Sequence, residues 1–398
     1  MSQGALENIT VLDLTRVLAG PFTTMILADM GANVIKIEIP EKGDDTRHFG
    51  PFQNEESLYY ANINRNKKGV TLNLKDPEGK KMFLEMAKKA DVVVENYRPG
   101  VMDKLGLGYE KLSEVNEKII YAAVSGFGSY GPYTDRPGYD IIAQAMGGIM
   151  SITGKPGDGP VRVGNAMGDV LGGLSLTIGI LAAINGREVT GKGQKVDVSL
   201  VDSVVASLEI GIQRYIATEE LPEKMGNRYA SAYPYDTFMA KDGYFVIGCG
   251  NQKLFENLVI KAMQKPELLE DERFLNNDLR CDNHAPLKAI IEDWSKNFTI
   301  DEVVEMILNA GCPAAPIFDM QRLLNDEHIA GAREMFVPIK HPKIGEMKVN
   351  GCHIKLSDTK PQVKTPSPDL GQDNEAVYQD MLNISPDDLK QLLQRGVI

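Results

Sequence analysis

One stretch of the chain puts an acid where it could do chemistry. In Gly164-Asn165-Ala166-Met167-Gly168-Asp169-Val170-Leu171-Gly172-Gly173, Asp169 stands among small residues. A carboxylate flanked by glycines leaves room for an electrophilic carbon to approach, as a nucleophile requires. A plainer use exists. Residues 170–185 lack proline and repeat bulky apolar residues at helical spacing, which predicts a buried helix starting at Asp169. An acid at a helix start can cap backbone N–H groups. The stretch alone does not choose between these roles.

Other candidates are more ambiguous. Asn64-Arg65-Asn66-Lys67-Lys68 gathers three cations, which suits phosphate groups or an ordinary solvated loop. Gly126-Phe127-Gly128-Ser129-Tyr130-Gly131 has the spacing of a dinucleotide fingerprint. Pro132 and Pro137 follow where that fingerprint needs a helix, so a nicotinamide-dinucleotide site is excluded. Gly248-Cys249-Gly250-Asn251-Gln252 offers several N–H groups to an anion, or forms a plain tight turn. The four cysteines lie at least 31 positions apart and the five histidines are scattered. That spacing predicts neither a metal site nor a disulfide framework, and it suits a cytoplasmic location.

The elements that must position these residues alternate. Strands are predicted over 9–14, 33–37, 70–74, 91–95 and 119–125, with helices over 22–30 and 77–89, a run of βαβ units. The first 200 residues therefore read as a doubly wound α/β domain, whose ligands bind beyond the carboxyl ends of the strands. Glu95-Asn96-Tyr97-Arg98-Pro99-Gly100 is such a strand-end loop. Residues 201–225 read as a linker, 226–325 as a smaller α+β domain with a hairpin at 236–248, and 326–398 as a mixed tail. A net charge of −12 argues against nucleic acid and anionic membranes as partners. Residues 1–7 lack the pattern of a signal peptide, and no apolar run is expected to span a bilayer.

Taken together, several runs resemble the class III CoA-transferases, the formyl-CoA transferase or CaiB/BaiF family. They are Val11-Leu12-Asp13-Leu14-Thr15 with Ala19-Gly20-Pro21, the segment 31–38, Glu95 to Gly100, Gly138-Tyr139-Asp140, Met167-Gly168-Asp169 and Gly248 to Gln252. His341-Pro342, the segment 354–359 and Leu370-Gly371 complete a likeness over nearly the whole chain. The resemblance implies a large Rossmann-like domain, a small domain, and a C-terminal return to the large one, in an interlocked homodimer.

It also implies the chemistry. Asp169 would attack an acyl-CoA thioester to form a mixed anhydride, then an aspartyl-CoA thioester that an acceptor acid resolves. The exchange uses coenzyme A thioesters and carboxylic acids as substrates, with no permanently bound cofactor and no metal. The turn Gly248, Cys249, Gly250, Asn251 and Gln252 matches a mobile loop over the acyl site. Val17, Leu72, Asn96, Tyr97, Lys104 and Arg136 match CoA contacts, and Leu18 and Tyr139 match the acyl site.

Two departures bear on substrate. Leu18 stands where oxalate-using members have glutamine, and Ile39 stands where they have arginine near adenine. The runs 44–51 and 59–68 resemble the succinate–hydroxymethylglutarate subgroup. That likeness implies succinyl-CoA as a donor and a dicarboxylic or hydroxy acid as acceptor, with Arg47 as the cation for a second carboxylate. Three alternatives stay open: a formyl-CoA:oxalate transferase, an α-methylacyl-CoA racemase and a non-catalytic CoA binder. The racemases place a histidine base where this chain has Tyr139, and a phenol of ordinary pKa, about 10, is a poor base.

Overall fold

The computed structural model describes residues 4–398; the first three residues of the N-terminal stretch read above lie outside them. The chain divides into two compact units, Met1–Ile149 with Arg162–Gln213 and Glu327–Ile398, and Met150–Val161 with Arg214–Asp326. Residues 150–161, read from sequence as part of the first domain, group with the second unit.

The first unit is built on six parallel strands: β1 (Thr10–Asp13), β2 (Asn33–Glu38), β3 (Lys68–Thr71), β4 (Val92–Glu95), β5 (Ile120–Ser125) and β6 (Lys195–Ser199). Their order is β3-β2-β1-β4-β5-β6, the doubly wound order in which the winding reverses between β1 and β4. Side chains alternate between the two faces at the strand period. Leu12, Ile35, Val70 and Val93 enter one core layer; Val11, Val34, Val92 and Val94 enter the other.

Helix α1 (Ala19–Asp29) follows β1, and α2 (Pro77–Ala87) follows β3. Asp76 caps α2 by accepting from the N–H groups of Glu78 and Gly79, with Pro77 in the first turn, where its missing N–H is harmless. Two further helices matter here, α3 (Asp140–Met146) and α4 (Met167–Thr190). At 24 residues, α4 is long and apolar enough to cross a membrane by length and composition, contrary to the sequence expectation. In this fold it packs on the sheet through Leu176, Ile180 and Ala183.

The C-terminal tail, unassigned by pattern, forms a hairpin (Phe336–His341 and Gly345–Asn350) and two helices, Asn374–Leu382 and Pro386–Gln394. Tyr378, Val397 and Ile398 fill the α2 side of the core.

The second unit carries a three-stranded antiparallel sheet with Tyr244–Gly248 at its centre. Around it lie Phe238, Phe245, Phe255, Ile291 and Trp294. The helix Ile300–Asn309 starts with a capping box between Thr299 and Glu302. Cys249 and Cys312, far apart in sequence, are buried free thiols with sulfurs 2.8 Å apart.

A buried ionic network ties the strand ends of the first unit together. Asp13, fully buried at the end of β1, accepts from Lys67 Nζ (3.0 Å), Thr24 Oγ1 (2.7 Å) and Thr15 N (2.9 Å). Lys36 Nζ donates to Asp44 Oδ2 (2.9 Å) and to the Thr15 carbonyl (2.8 Å). Arg65 pairs with Asp29. Thus Arg65 and Lys67 form neither a phosphate loop nor a solvated one.

Burial opposes ionisation of Asp13, but Lys67, Lys36 and two hydroxyls outweigh it and hold the carboxyl below its usual range. Burial likewise pushes Lys67 down, against the attraction of Asp13, to about 8, so the pair stays ionised at pH 7. Asp44 is treated the same way and held at about 2 by Lys36 and Thr46 despite burial.

Removing one partner leaves a buried uncompensated charge. Asp13→Ala should therefore lower the stability of the first unit by about 3–5 kcal/mol in urea titrations. A loss under about 1 kcal/mol would contradict the assignment. The depressed Asp44 adds stability fully present above its unfolded value of 3.8 and lost as pH falls toward about 2. Acid titration of the wild type should show a stability loss in that window, and Asp44→Asn should flatten it.

Candidate functional site

The winding reversal leaves a crevice between the carboxyl ends of β1 and β4, and a cleft with an empty volume of about 900 Å³ opens there. Arg16, Val17, Leu18 and Ala19 line it from the loop after β1, and Asn96, Tyr97, Arg98 and Pro99 from the loop after β4. Gly126, Arg136 and Tyr139 contribute from beyond β5, and Asp169 from α4.

The loop after β1 is fixed from two sides. Asn96 accepts from Arg16 N (2.9 Å) and donates to the Arg16 carbonyl (2.7 Å). Asp44 accepts from Val17 N (3.2 Å), which holds this β-branched residue at φ +67°. Such a conformation is unfavourable for valine and persists only under strong constraint. Leu18 and Ala19 then begin α1, whose first N–H groups have no partner within the helix and carry its positive end.

Asp169 is placed by glycines. It lies in the first turn of α4, two residues into the helix, and so is not the cap. The capping group comes from elsewhere: Asp140 Oδ1 accepts from Gly168 N (2.8 Å). Gln144, fully buried, donates to Asp140 and Asn165 and accepts from Val163 N, fixing the chain that enters α4. A Cβ on Gly172 would lie 2.5 Å from Leu200, and one on Gly173 only 2.8 Å from the Ala19 carbonyl. These glycines let the start of α4 press against the start of α1.

The glycine-rich run after β5 has a similar purpose. A Cβ on Gly126 would sit 2.6 Å from the Gly138 Cα, so two backbones cross there and bring Tyr139 to the cleft and Asp140 to the start of α4. No helix follows until Asp140, so the run is not a dinucleotide fingerprint.

Among the described residues, no cation pairs with Asp169. Burial raises its carboxyl to about 7, and the Asp140 carboxylate adds to the rise. An acid that titrates near neutrality, unpaired, in a cleft is a candidate for chemistry rather than for stability.

A second cleft, of about 1210 Å³, adjoins the first and shares Arg16, Tyr97 and Arg98 with it. Ile39, Leu72, Leu74, Val101 and Leu105 give it apolar walls, and Lys75 stands at its edge. The pair of clefts suits an elongated ligand with anionic groups near the junction.

Of the residues singled out from sequence, Val17, Leu18, Asn96, Tyr97, Arg136, Tyr139 and Asp169 come together in the first cleft. Leu72 lies in the second. Lys104 is exposed on the short helix Val101–Leu105, beside that cleft but not in its wall. Arg47 is placed elsewhere. It grips Glu38 with two bonds (2.8 and 2.7 Å) and meets Tyr60 OH and the Pro368 carbonyl, so its charge is already matched.

The turn Gly248–Gln252 falls in the second unit. There Cys249 is buried, Asn251 caps the helix Gln252–Asn257 and Gln252 accepts from Arg280. A Cβ on Gly250 would meet nothing within 4 Å. Sequence reasoning missed Arg16, Arg98, Gln144 and Tyr59 as site residues; Arg98 and Tyr59 were visible, inside the runs 95–100 and 59–68 already marked.

The model of the family described as CoA-transferase family III matches residues 6–374. The acetyl-CoA:oxalate CoA-transferase of Acetobacter aceti is 43% identical over 89% of this chain and 90% of its own length. The succinyl-CoA:glutarate CoA-transferase of Homo sapiens is 38% identical over 99% of this chain and 90% of its own. A solved CaiB/BaiF family protein from Brucella suis is 36% identical and superposes with a TM-score of 0.84, covering 96% of this chain and all of the other (100%). A match along almost the whole length, with this cleft at the winding reversal, makes the chain a member of CoA-transferase family III.

Proposed function

We propose that the protein moves CoA between an acyl-CoA and a dicarboxylic acid, with Asp169 as the covalent relay. The observation that carries this is an unpaired half-buried carboxylate in a cleft whose wall also holds Arg16, paired with Asp45 at 3.5 Å, and Arg98 and Arg136, which no carboxylate answers among the described residues. The second cleft takes the adenine nucleotide end of CoA, and its phosphates lie toward Arg16 and Arg98 at the junction. The pantetheine arm then runs to Asp169.

The exchange is balanced at each step. An Asp169 oxygen attacks the thioester carbon, the C–S bond breaks and CoA thiolate leaves, giving the mixed anhydride. The thiolate attacks the Asp169 carbonyl and expels the donor acid. The acceptor carboxylate then attacks the aspartyl thioester, expelling the thiolate and forming a second mixed anhydride. The thiolate attacks its acceptor-side carbonyl, which breaks the anhydride C–O bond, gives the new acyl-CoA and returns the Asp169 carboxylate. N–H groups at the start of α1 would stabilise the oxyanions.

Oxalate and glutarate, the acids in the two relatives' names, are both dicarboxylic, which supports that acceptor class. The Leu18 argument against oxalate is weakened by a 43% identical oxalate enzyme. Against a racemase, no histidine lines this cleft among the described residues. A homodimer belongs to the proposal. Ile141, Ile142 and Met146 on α3 and Ile178 and Val189 on α4 are exposed, and a second copy would cover them. Light scattering giving a monomer mass at micromolar concentration would remove this part.

Intact-mass measurement after mixing with succinyl-CoA should show a hydroxylamine-labile, CoA-sized adduct on the wild type and none on Asp169→Ala. Turnover of that variant should fall by at least ~10³-fold. An adduct that survives the substitution would overturn the assignment. Adduct formation should rise with pH through about 7, where Asp169 loses its proton, and then level. Asp140→Asn removes the neighbouring like charge and should move that rise to lower pH. The raised value also means that ionised Asp169 opposes folding. Asp169→Asn should therefore stabilise the protein above about pH 7 and lose this advantage as pH falls toward 3.8. Arg98→Ala should raise the KM for acyl-CoA by about 10-fold, with a smaller effect on kcat.

A further inference from the structure

A third opening, of about 1280 Å³, lies beside the start of α4. Leu18 belongs to its wall and to that of the Asp169 cleft, and Ala166 and Val170 bracket Asp169 on the helix. Tyr59 lines it as well, its phenol held up at about 12 by burial and by the charge of Asp169. This groove is therefore adjacent to the reactive carboxylate without overlapping the path assigned to CoA.

Its chemistry is selective. Leu58, Ile63, Val170 and Met347 give apolar walls suited to methylene groups, and no acidic residue lines it. One cation does, Lys348, on the hairpin strand Gly345–Asn350. Most neighbouring cations are already used, and Arg162, which donates to the carbonyls of Val163 and Asn165, does not line the groove. Arg47 is matched by Glu38, Lys67 by Asp13 and Arg65 by Asp29. Lys343, on the same hairpin, is held between Glu56 (3.0 Å) and Asp369 (2.9 Å). Among the described residues no carboxylate pairs with Lys348.

We infer that this groove holds the acid undergoing exchange, and that Lys348 receives the carboxylate farthest from Asp169. It would thereby favour dicarboxylic acids over monocarboxylic acids of equal length. The inference rests on the transferase reading above and replaces Arg47 with Lys348 as the residue for the second charge. An exposed ammonium competes with water, so the expected discrimination is about 10-fold rather than the larger factors of fully buried pairs.

The test compares glutarate with valerate as acceptors, which differ by one terminal carboxylate, using the acyl-CoA that best labels the wild type. In Lys348→Gln the ratio of kcat/KM for glutarate over valerate should fall about 10-fold, through the KM for glutarate. Lys348→Arg should keep most of the ratio. Lys348→Glu should lower it further by repulsion. An unchanged ratio in Lys348→Gln, with exchange intact, would overturn this inference alone. A wild type that forms no adduct and exchanges no acid would overturn the transferase reading, and this one with it.

Discussion

The buried pairing of Asp13 with Lys67, extended through Lys36 to Asp44, is the constraint on which the site depends. It joins the exits of β1 and β2 to the entry of β3 at a place where the backbone leaves regular structure. Asp44 receives Lys36 on one oxygen and the N–H groups of Val17 and Thr46 on the other. The loop after β1 is thus held in a shape that valine would not choose unaided. Apolar residues could give comparable stability at these positions, since buried pairs gain little over good packing. They could not aim an N–H at Asp44 or hold Arg16 between two clefts. The network is better understood as fixing geometry than as adding stability.

Glycine does the complementary work. On the α4 side of the cleft the requirement is proximity, and side chains would prevent it. Gly172 and Gly173 seat α4 against Leu200 and α1, and Gly126 and Gly138 let the two ends of the connection from β5 to α3 cross. Asp169 then lies near an acid that caps its helix, and burial with Asp140 lifts its carboxyl toward neutrality. That arrangement opposes folding once Asp169 is ionised and leaves the carboxylate unpaired. A structural acid at a helix start would show the reverse, a depressed value and satisfied bonds, as Asp44 does.

Much of the fold was legible in the sequence because its signals are local. Runs such as Val92–Glu95 can only be a buried strand, and Asp76-Pro77 marks a helix start. The C-terminal tail was not legible, because its hairpin alternates polar and apolar residues weakly and its helices take their apolar faces from the α2 side of the core. The site was legible where glycine and acid types recur in order, and illegible where a role depends on a distant partner. Gln144 looks like any helix residue until Val163 and Asn165 are placed against it. The 24-residue apolar α4 exceeded the estimate from sequence because glycine, serine and threonine interrupt its bulky residues without ending the helix.

The cations show the same limit most sharply. In sequence, Arg47, Arg65 and Lys67 look like ligand-binding residues: basic, clustered and flanked by polar side chains. Each is matched by an acid from another element, Glu38, Asp29 or Asp13. Arg98, Arg136 and Lys348 carry no such local signature, yet no acid in the described structure answers them, and each lines a cleft. For a protein of net charge −12 that handles polyanionic thioesters, free cations are more informative than total ones. A matched cation presents little field beyond its partner, whereas an unmatched one beside an apolar wall attracts whatever anion fits the space. Which charges the fold leaves unanswered is set by pairing across elements far apart in the chain.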